Sequence, residues 1–189
     1  MIAVVTGGSA SGKSAFAERL ACTFPEPRAY VATMRHGDGE TEARIARHLK
    51  MREGKGFVTV ELVDLAEGVS ARRKAAPPCR EDSGNGDESA FPAGSASGLE
   101  QCRTALLEDL GNLVANGLED QLESMLTCEN VVIVANEVGG DGVAYDSFTM
   151  DYIEQIGALA CKLAARADVV VEVVAGVPNV VKGGLPCAC

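Results

Sequence analysis

The sequence predicts an α/β fold of the doubly wound kind: a mainly parallel sheet with helices on both faces, of the phosphate-loop nucleotide-binding type. Three observations predict it. A β-branched apolar run, Ile2-Ala3-Val4-Val5-Thr6, opens directly into Gly7-Gly8-Ser9-Ala10-Ser11-Gly12-Lys13-Ser14 and then into helix-forming residues. Two later runs, Asn130-Val131-Val132-Ile133-Val134-Ala135 and Asp168-Val169-Val170-Val171-Glu172-Val173-Val174, are mostly apolar and β-branched rather than alternating, as strands covered on both faces are. Helical periods fall between the strands, so the two kinds of element alternate along the chain.

The first strand leads into a phosphate-binding loop. Residues 7–14 satisfy G-x-x-x-x-G-K-[ST] in full, between a strand and a helix, which is the context that gives the pattern meaning. Glycines allow a tight turn that brings backbone N–H groups against phosphate oxygens, and the helix N-terminus adds partial positive charge. Lys13 can reach the β/γ-phosphates and Ser14 can ligate Mg²⁺. Gly7, Gly8, Ser9, Ala10, Ser11, Gly12, Lys13 and Ser14 are therefore candidate nucleotide contacts, with Lys13 also catalytic and Ser14 also a metal ligand.

Composition bounds the function. The 189 residues suit a single phosphate-loop domain over 1–189, and no uninterrupted apolar stretch approaches the roughly 18 residues of a spanning helix. The N-terminal apolar run lacks a basic flank and breaks at Gly7, so the expectation is a cytoplasmic protein with no membrane span. A net charge of −10 and a pI near 4.7 leave no general basic footprint for nucleic acid, so a bound nucleotide must rely on a focused local site. The seven cysteines are scattered and odd in number, which reads as reduced, mostly packing side chains, with Cys187 and Cys189 on a frayed tail.

In order, the helix after the loop runs to about Thr23 and stops before Pro25 and Pro27. A second strand covers 28–33, and the turn-rich Met34-Arg35-His36-Gly37-Asp38-Gly39 comes next. A polar helix is expected at 40–50, where Arg44, Arg47, Lys50 and Arg52 make a cationic patch in an acidic chain: either a second lobe for a triphosphate or a solvated face. His48 lies in it. Residues 57–62 alternate as a strand with Glu61 at its exit, and a helix is expected at 65–74. A flexible insertion comes after it at about 76–98, where residues 77–98 hold three prolines, four glycines and four serines.

Beyond it, the leucines between 99 and 126 fit a helical period, yet Thr104-Ala105-Leu106-Leu107-Glu108-Asp109 is the best candidate for another strand, and periodicity alone does not decide between them. As a strand it places Glu108 and Asp109 at a C-terminal end, where acids that hold Mg²⁺ sit in phosphate-loop enzymes. After the strand at 130–135, an amphipathic helix is expected at 145–167, and 168–174 reads as the final strand before Gly176 and Pro178.

Several of these segments together resemble the bifunctional adenosylcobinamide kinase/adenosylcobinamide-phosphate guanylyltransferase family of cobalamin nucleotide-loop assembly. They are Thr6-Gly7-Gly8 through Ser14, Tyr30-Val31-Ala32-Thr33, Ala43-Arg44-Ile45-Ala46-Arg47-His48 with Arg52 four residues on, Leu106-Leu107-Glu108 with Asn116 downstream, Asn136-Glu137-Val138-Gly139, and Ala164-Ala165-Arg166-Ala167-Asp168. The R-I-x-x-H-x-x-x-R and N-E-V-G segments are far more specific than the phosphate loop. The resemblance implies that His48 attacks the α-phosphorus of GTP, and that the nucleotide also contacts Thr33, Met34, Arg35, Leu49, Lys50, Met51, Arg52, Glu61 and Glu108, with Glu108 a second metal ligand. It implies ATP and GTP as substrates, Mg²⁺ as cofactor, adenosylcobinamide as the small-molecule partner, and a homo-oligomer.

The chain also departs from the family's pattern. Ala10 stands where an arginine is usual, Asp109-Leu110-Gly111 where Cys-Leu-Thr is common, and no proline succeeds Gly139. In the long C-terminal helix, Ile153-Glu154 and Ala160-Cys161 replace an Arg-Asp and an Asn-Gln pair. These changes spare the nucleotide site more than the corrinoid or subunit-contact surface. A phosphate-loop kinase of another small alcohol, or a non-catalytic nucleotide-binding subunit, are the alternatives.

Overall fold

Apolar β-branched runs form strands and leucine periods form helices across the residues that the computed structural model describes, namely 1–33, 54–61, 99, 101–140 and 142–186. In chain order the elements are β1 (Ile2–Gly7), α1 (Lys13–Cys22), β2 (Arg28–Ala32), β3 (Phe57–Glu61), β4 (Thr104–Leu107), α2 (Leu110–Ala115), a 3₁₀ turn (Glu119–Gln121), α3 (Leu122–Met125), β5 (Asn130–Asn136), α4 (Ser147–Arg166), β6 (Val169–Val174) and β7 (Val177–Lys182). The helices expected at 40–50 and 65–74, the insertion at 76–98 and the cysteine tail lie outside the described residues.

The strands make one sheet in the order β3-β2-β4-β5-β1-β6-β7. β1 to β6 run parallel, and only β7 is antiparallel to its neighbour. Because successive side chains point to opposite faces, each strand feeds two cores. Val4, Val31, Leu107, Ile133 and Val170 face α2, α3 and α4 through Leu110, Leu113, Met125 and Leu163. Ala3, Val5, Tyr30, Leu106, Val134 and Val171 face α1 through Phe16, Ala17 and Leu20. This two-sided burial is why the central strands read as largely apolar runs.

The ambiguous leucine-rich stretch holds both kinds of element. All four residues of β4 are buried, and the strand ends at Leu107, so Glu108 and Asp109 fall just beyond it. Asp109 then starts α2, its carboxylate accepting from the N–H groups of Gly111 (2.9 Å) and Asn112 (3.3 Å). α4 starts two residues later than expected because Asp146 caps it, accepting from Thr149 N–H at 3.0 Å. Asp168, from the segment leading into β6, clasps the opening residue of β1: its N–H donates to the Ile2 carbonyl at 2.8 Å, and its carboxylate accepts from the Ile2 N–H at 2.7 Å.

One expectation is corrected: β6 is not the last strand. The chain reverses at Ala175 and Gly176, with φ of 49° and 82°, and pairs back as β7, Pro178 included. Two consecutive positive φ values mark the hairpin turn whose twist suits flanking strands, and an edge strand tolerates a proline that has no N–H to give. Among the described residues no helix is long and apolar enough to cross a membrane, and Cys22, Cys102, Cys128 and Cys161 form no disulfide with one another.

Candidate nucleotide site

The carboxyl ends of β1, β4, β5 and β6 converge on one edge of the sheet, where a doubly wound fold keeps its binding crevice. The loop after β1 is held by its own backbone. Gly8 carbonyl accepts from Ser11 N–H at 3.2 Å and from Lys13 Nζ at 3.0 Å, while Phe16 N–H donates to Gly12 carbonyl at 3.0 Å to begin α1. Gly12 caps that helix at φ 90°, a left-handed conformation that glycine adopts without strain, and Ala10 takes φ 56°. At Gly7 a side chain is excluded outright, since a Cβ would lie 2.5 Å from the Val173 carbonyl. Lys13 is only 6% exposed, so its amine is held within the loop rather than in solvent.

Glu108 lies across from this lysine. Burial, and then the negative charges of Asp109 and Glu18, push its carboxyl up to about 8, against the pull of Lys13. Glu18 is itself buried on α1, in an ion pair with Lys55 just before β3. Among the described residues the buried Lys13 thus acts on Glu108 against the carboxylates of Asp109 and Glu18, and an unliganded Glu108 carries its proton at neutral pH. Ser14, in the first turn of α1, and Glu108 offer two hard oxygen donors. Among the described residues no group of three or more His, Cys, Asp or Glu side chains is arranged to hold a metal ion, and Mg²⁺ needs none, since it commonly takes one or two protein oxygens with phosphates and waters. The donor set fits that ion.

The structure brings residues 7–14 and Glu108 together, with Thr33 nearby at the end of β2. Thr33 is buried, its hydroxyl donating to the Asp109 carbonyl (3.4 Å) and its carbonyl accepting from Asn116 Nδ2 (2.7 Å), which accounts for the asparagine downstream of β4. Glu61 ends β3, at the same edge of the sheet. Met34, Arg35, His48, Leu49, Lys50, Met51 and Arg52 lie outside the described residues. Three neighbours were not expected as site residues. Glu137, just after β5, comes within 4.0 Å of where a Cβ on Gly8 would sit; its N-E-V-G setting was the signal available. Glu18 depends on which face of α1 turns inward. The third is the β6–β7 turn, whose Gly176 N–H donates to the Ser11 carbonyl at 2.8 Å.

The departures have local explanations. A Cβ at position 111 would meet the Tyr152 hydroxyl at 2.9 Å, and that hydroxyl donates to the Gly111 carbonyl at 3.1 Å, so Gly111 gives α4 room to close on α2. Ile153 packs directly over Gly139, 3.0 Å from where a Cβ would stand. Glu154 and Cys161 are exposed.

Comparison with known proteins agrees with this arrangement. The profile of the cobinamide kinase / cobinamide phosphate guanyltransferase family matches residues 3–79 and 96–181. The chain is 30% identical over 188 residues to the bifunctional adenosylcobalamin biosynthesis protein CobP of Pseudomonas aeruginosa, covering 95% of this chain and 96% of that one. With a phosphate loop on a mostly parallel sheet and a match along nearly its whole length, this chain belongs to the cobinamide kinase / cobinamide phosphate guanyltransferase family, a family of nucleotide-using transferases.

Proposed function

We propose that this protein phosphorylates adenosylcobinamide and then transfers GMP from GTP, through a guanylylated His48, to adenosylcobinamide phosphate, giving adenosylcobinamide-GDP. The observation that carries the reading is the phosphate loop with Lys13 buried at its end opposite Glu108, in a chain of this family.

In the first half-reaction the acceptor hydroxyl oxygen attacks the γ-phosphorus of ATP or GTP, the bond to the bridging oxygen breaks with its electron pair passing to the departing nucleoside diphosphate, and the hydroxyl proton passes to solvent. The loop N–H groups of residues 7–14 and the Lys13 ammonium bear the charge on the phosphate oxygens. Ser14 and Glu108 would hold Mg²⁺, which supplies further charge neutralisation on those oxygens. In the second, a neutral ring nitrogen of His48 attacks the α-phosphorus of GTP and pyrophosphate leaves with the electron pair. An oxygen of adenosylcobinamide phosphate then displaces the imidazole and frees His48. Arg44, Arg47, Lys50 and Arg52 supply positive charge around it, and Thr33, Met34, Arg35, Leu49, Met51 and Glu61 complete the guanine-nucleotide contacts. A carboxylate suits guanine, whose N1–H and amino group are adjacent donors.

The family profile leaves residues 80–95 unmatched between its two segments, which supports reading 76–98 as an insertion in a single domain. Exposed Phe148, Val177 and Val181 support a homo-oligomer.

Incubation with GTP labelled at the α-phosphate tests the reading. Wild-type protein acquires acid-labile, base-stable label, as a phosphorus–nitrogen bond gives, and His48→Ala abolishes it while still binding GTP. Wild-type protein that binds GTP, phosphorylates adenosylcobinamide and never takes the label is a kinase alone.

A further inference from the structure

We propose that the β6–β7 turn, Ala175-Gly176, is a positioning element of the phosphate loop: by holding the Ser11 carbonyl, the Gly176 N–H fixes the direction of the Gly12 N–H that meets the nucleotide phosphates. The inference rests on the loop's being the nucleotide site. The Ser11–Gly12 peptide is planar and trans, so its C=O and N–H point in opposite directions. With the carbonyl bound to Gly176 N–H at 2.8 Å on the hairpin side, the Gly12 N–H is aimed away from the hairpin, across the loop. Without that bond the peptide is free to rotate, and the loop loses one donor from the concave set that binds anions.

Two further contacts make the fit close. A Cβ on Gly12 would lie 3.3 Å from Gly176 Cα, and one on Gly7 would lie 2.5 Å from the Val173 carbonyl. The first and last glycines of the loop's pattern therefore both abut this hairpin. The turn is also rigidly determined. Ala175, a non-glycine residue at φ 49°, is kept there by the flanking pairs Val173 with Pro178 and Val174 with Val177. β7 adds little to the core, since all six of its residues are exposed, so packing does not account for it. Its far end is tied down, with Lys182 Nζ donating to the Ala164 and Ala165 carbonyls at 2.9 Å each. Its near end is the part that meets the loop.

The test compares GTP dissociation constants and unliganded melting temperatures for three variants. At Gly176 a new Cβ meets nothing within 4 Å, so Gly176→Ala keeps the fold, yet φ of 82° disfavours any side chain and the turn relaxes. Gly176→Ala weakens GTP binding about tenfold and Gly176→Val weakens it more. Val180→Ala, on the same hairpin away from the turn, serves as the control for hairpin stability and leaves binding unchanged. Binding within twofold of wild type for both Gly176 variants overturns the inference, as does an equal loss in Val180→Ala at the same fall in melting temperature. Wild-type protein that does not bind GTP overturns the nucleotide-site reading itself, a result distinct from either.

Discussion

Glu108 shows how far a setting moves one residue's chemistry. Its carboxyl titrates at about 8 in the folded chain against 4.5 ordinarily, because burial and then Asp109 and Glu18 disfavour the charge. Proton counting gives the sign of the consequence. Between pH 4.5 and 8 the folded protein holds a proton that the unfolded chain has released, so raising pH favours unfolding. The stabilisation is fully present below 4.5 and is lost as pH rises through 8. Glu108→Gln, neutral at every pH, removes that slope: its melting temperature stays near wild type at pH 5 and exceeds it at pH 9, read from thermal scans across that range. At Lys13 the expectation concerns rate instead. Lys13→Ala removes the buried cation of the phosphate loop and lowers phosphoryl transfer by roughly a hundredfold or more, measured as kcat on adenosylcobinamide.

At the scale of elements, a strand or helix was legible where its reason is local. The loop pattern, the largely apolar runs of β1, β5 and β6, and the proline stop after α1 all sit within a few residues of the structure they cause. β7 was illegible because Pro178 argues against a strand and because its turn needs Ala175 in a left-handed conformation, which only pairing along the whole hairpin enforces. α2 was obscured by its neighbour, a buried strand and a buried helix being alike in composition; what separates them is Asp109, whose carboxylate caps the helix. Asp109→Ala therefore costs about 1 kcal/mol in denaturant unfolding. The same change removes a negative charge beside Glu108, so the pH window of destabilisation moves to lower pH, which the melting profile also reports.

At the scale of the whole molecule, the sheet formed by the described residues ends in two edge strands. β3 closes one end and β7 the other, and β7 exposes Val177 (67%) and Val181, beside the exposed Val174 of β6. An edge strand with bare valines and unpaired backbone groups is the kind that joins another chain unless charge or proline blunts it. Pro178 removes one donor and Lys182 is turned to the end of α4, so the valines are left without a charged guard along that strand. A second apolar area lies at the start of α4, where Phe148 is 82% exposed. A net charge of −10 opposes indiscriminate association, which favours a defined assembly over aggregation. Light scattering coupled to size exclusion should accordingly give a mass of a small multiple of the 19.6 kDa chain. Val181→Lys should shift it toward the monomer if β7 is the contact, and Phe148→Ser if α4 is. A wild-type protein already monomeric at micromolar concentration would assign both patches to something other than self-association, while leaving the clasp between the hairpin turn and the phosphate loop, which lies within one chain, untouched.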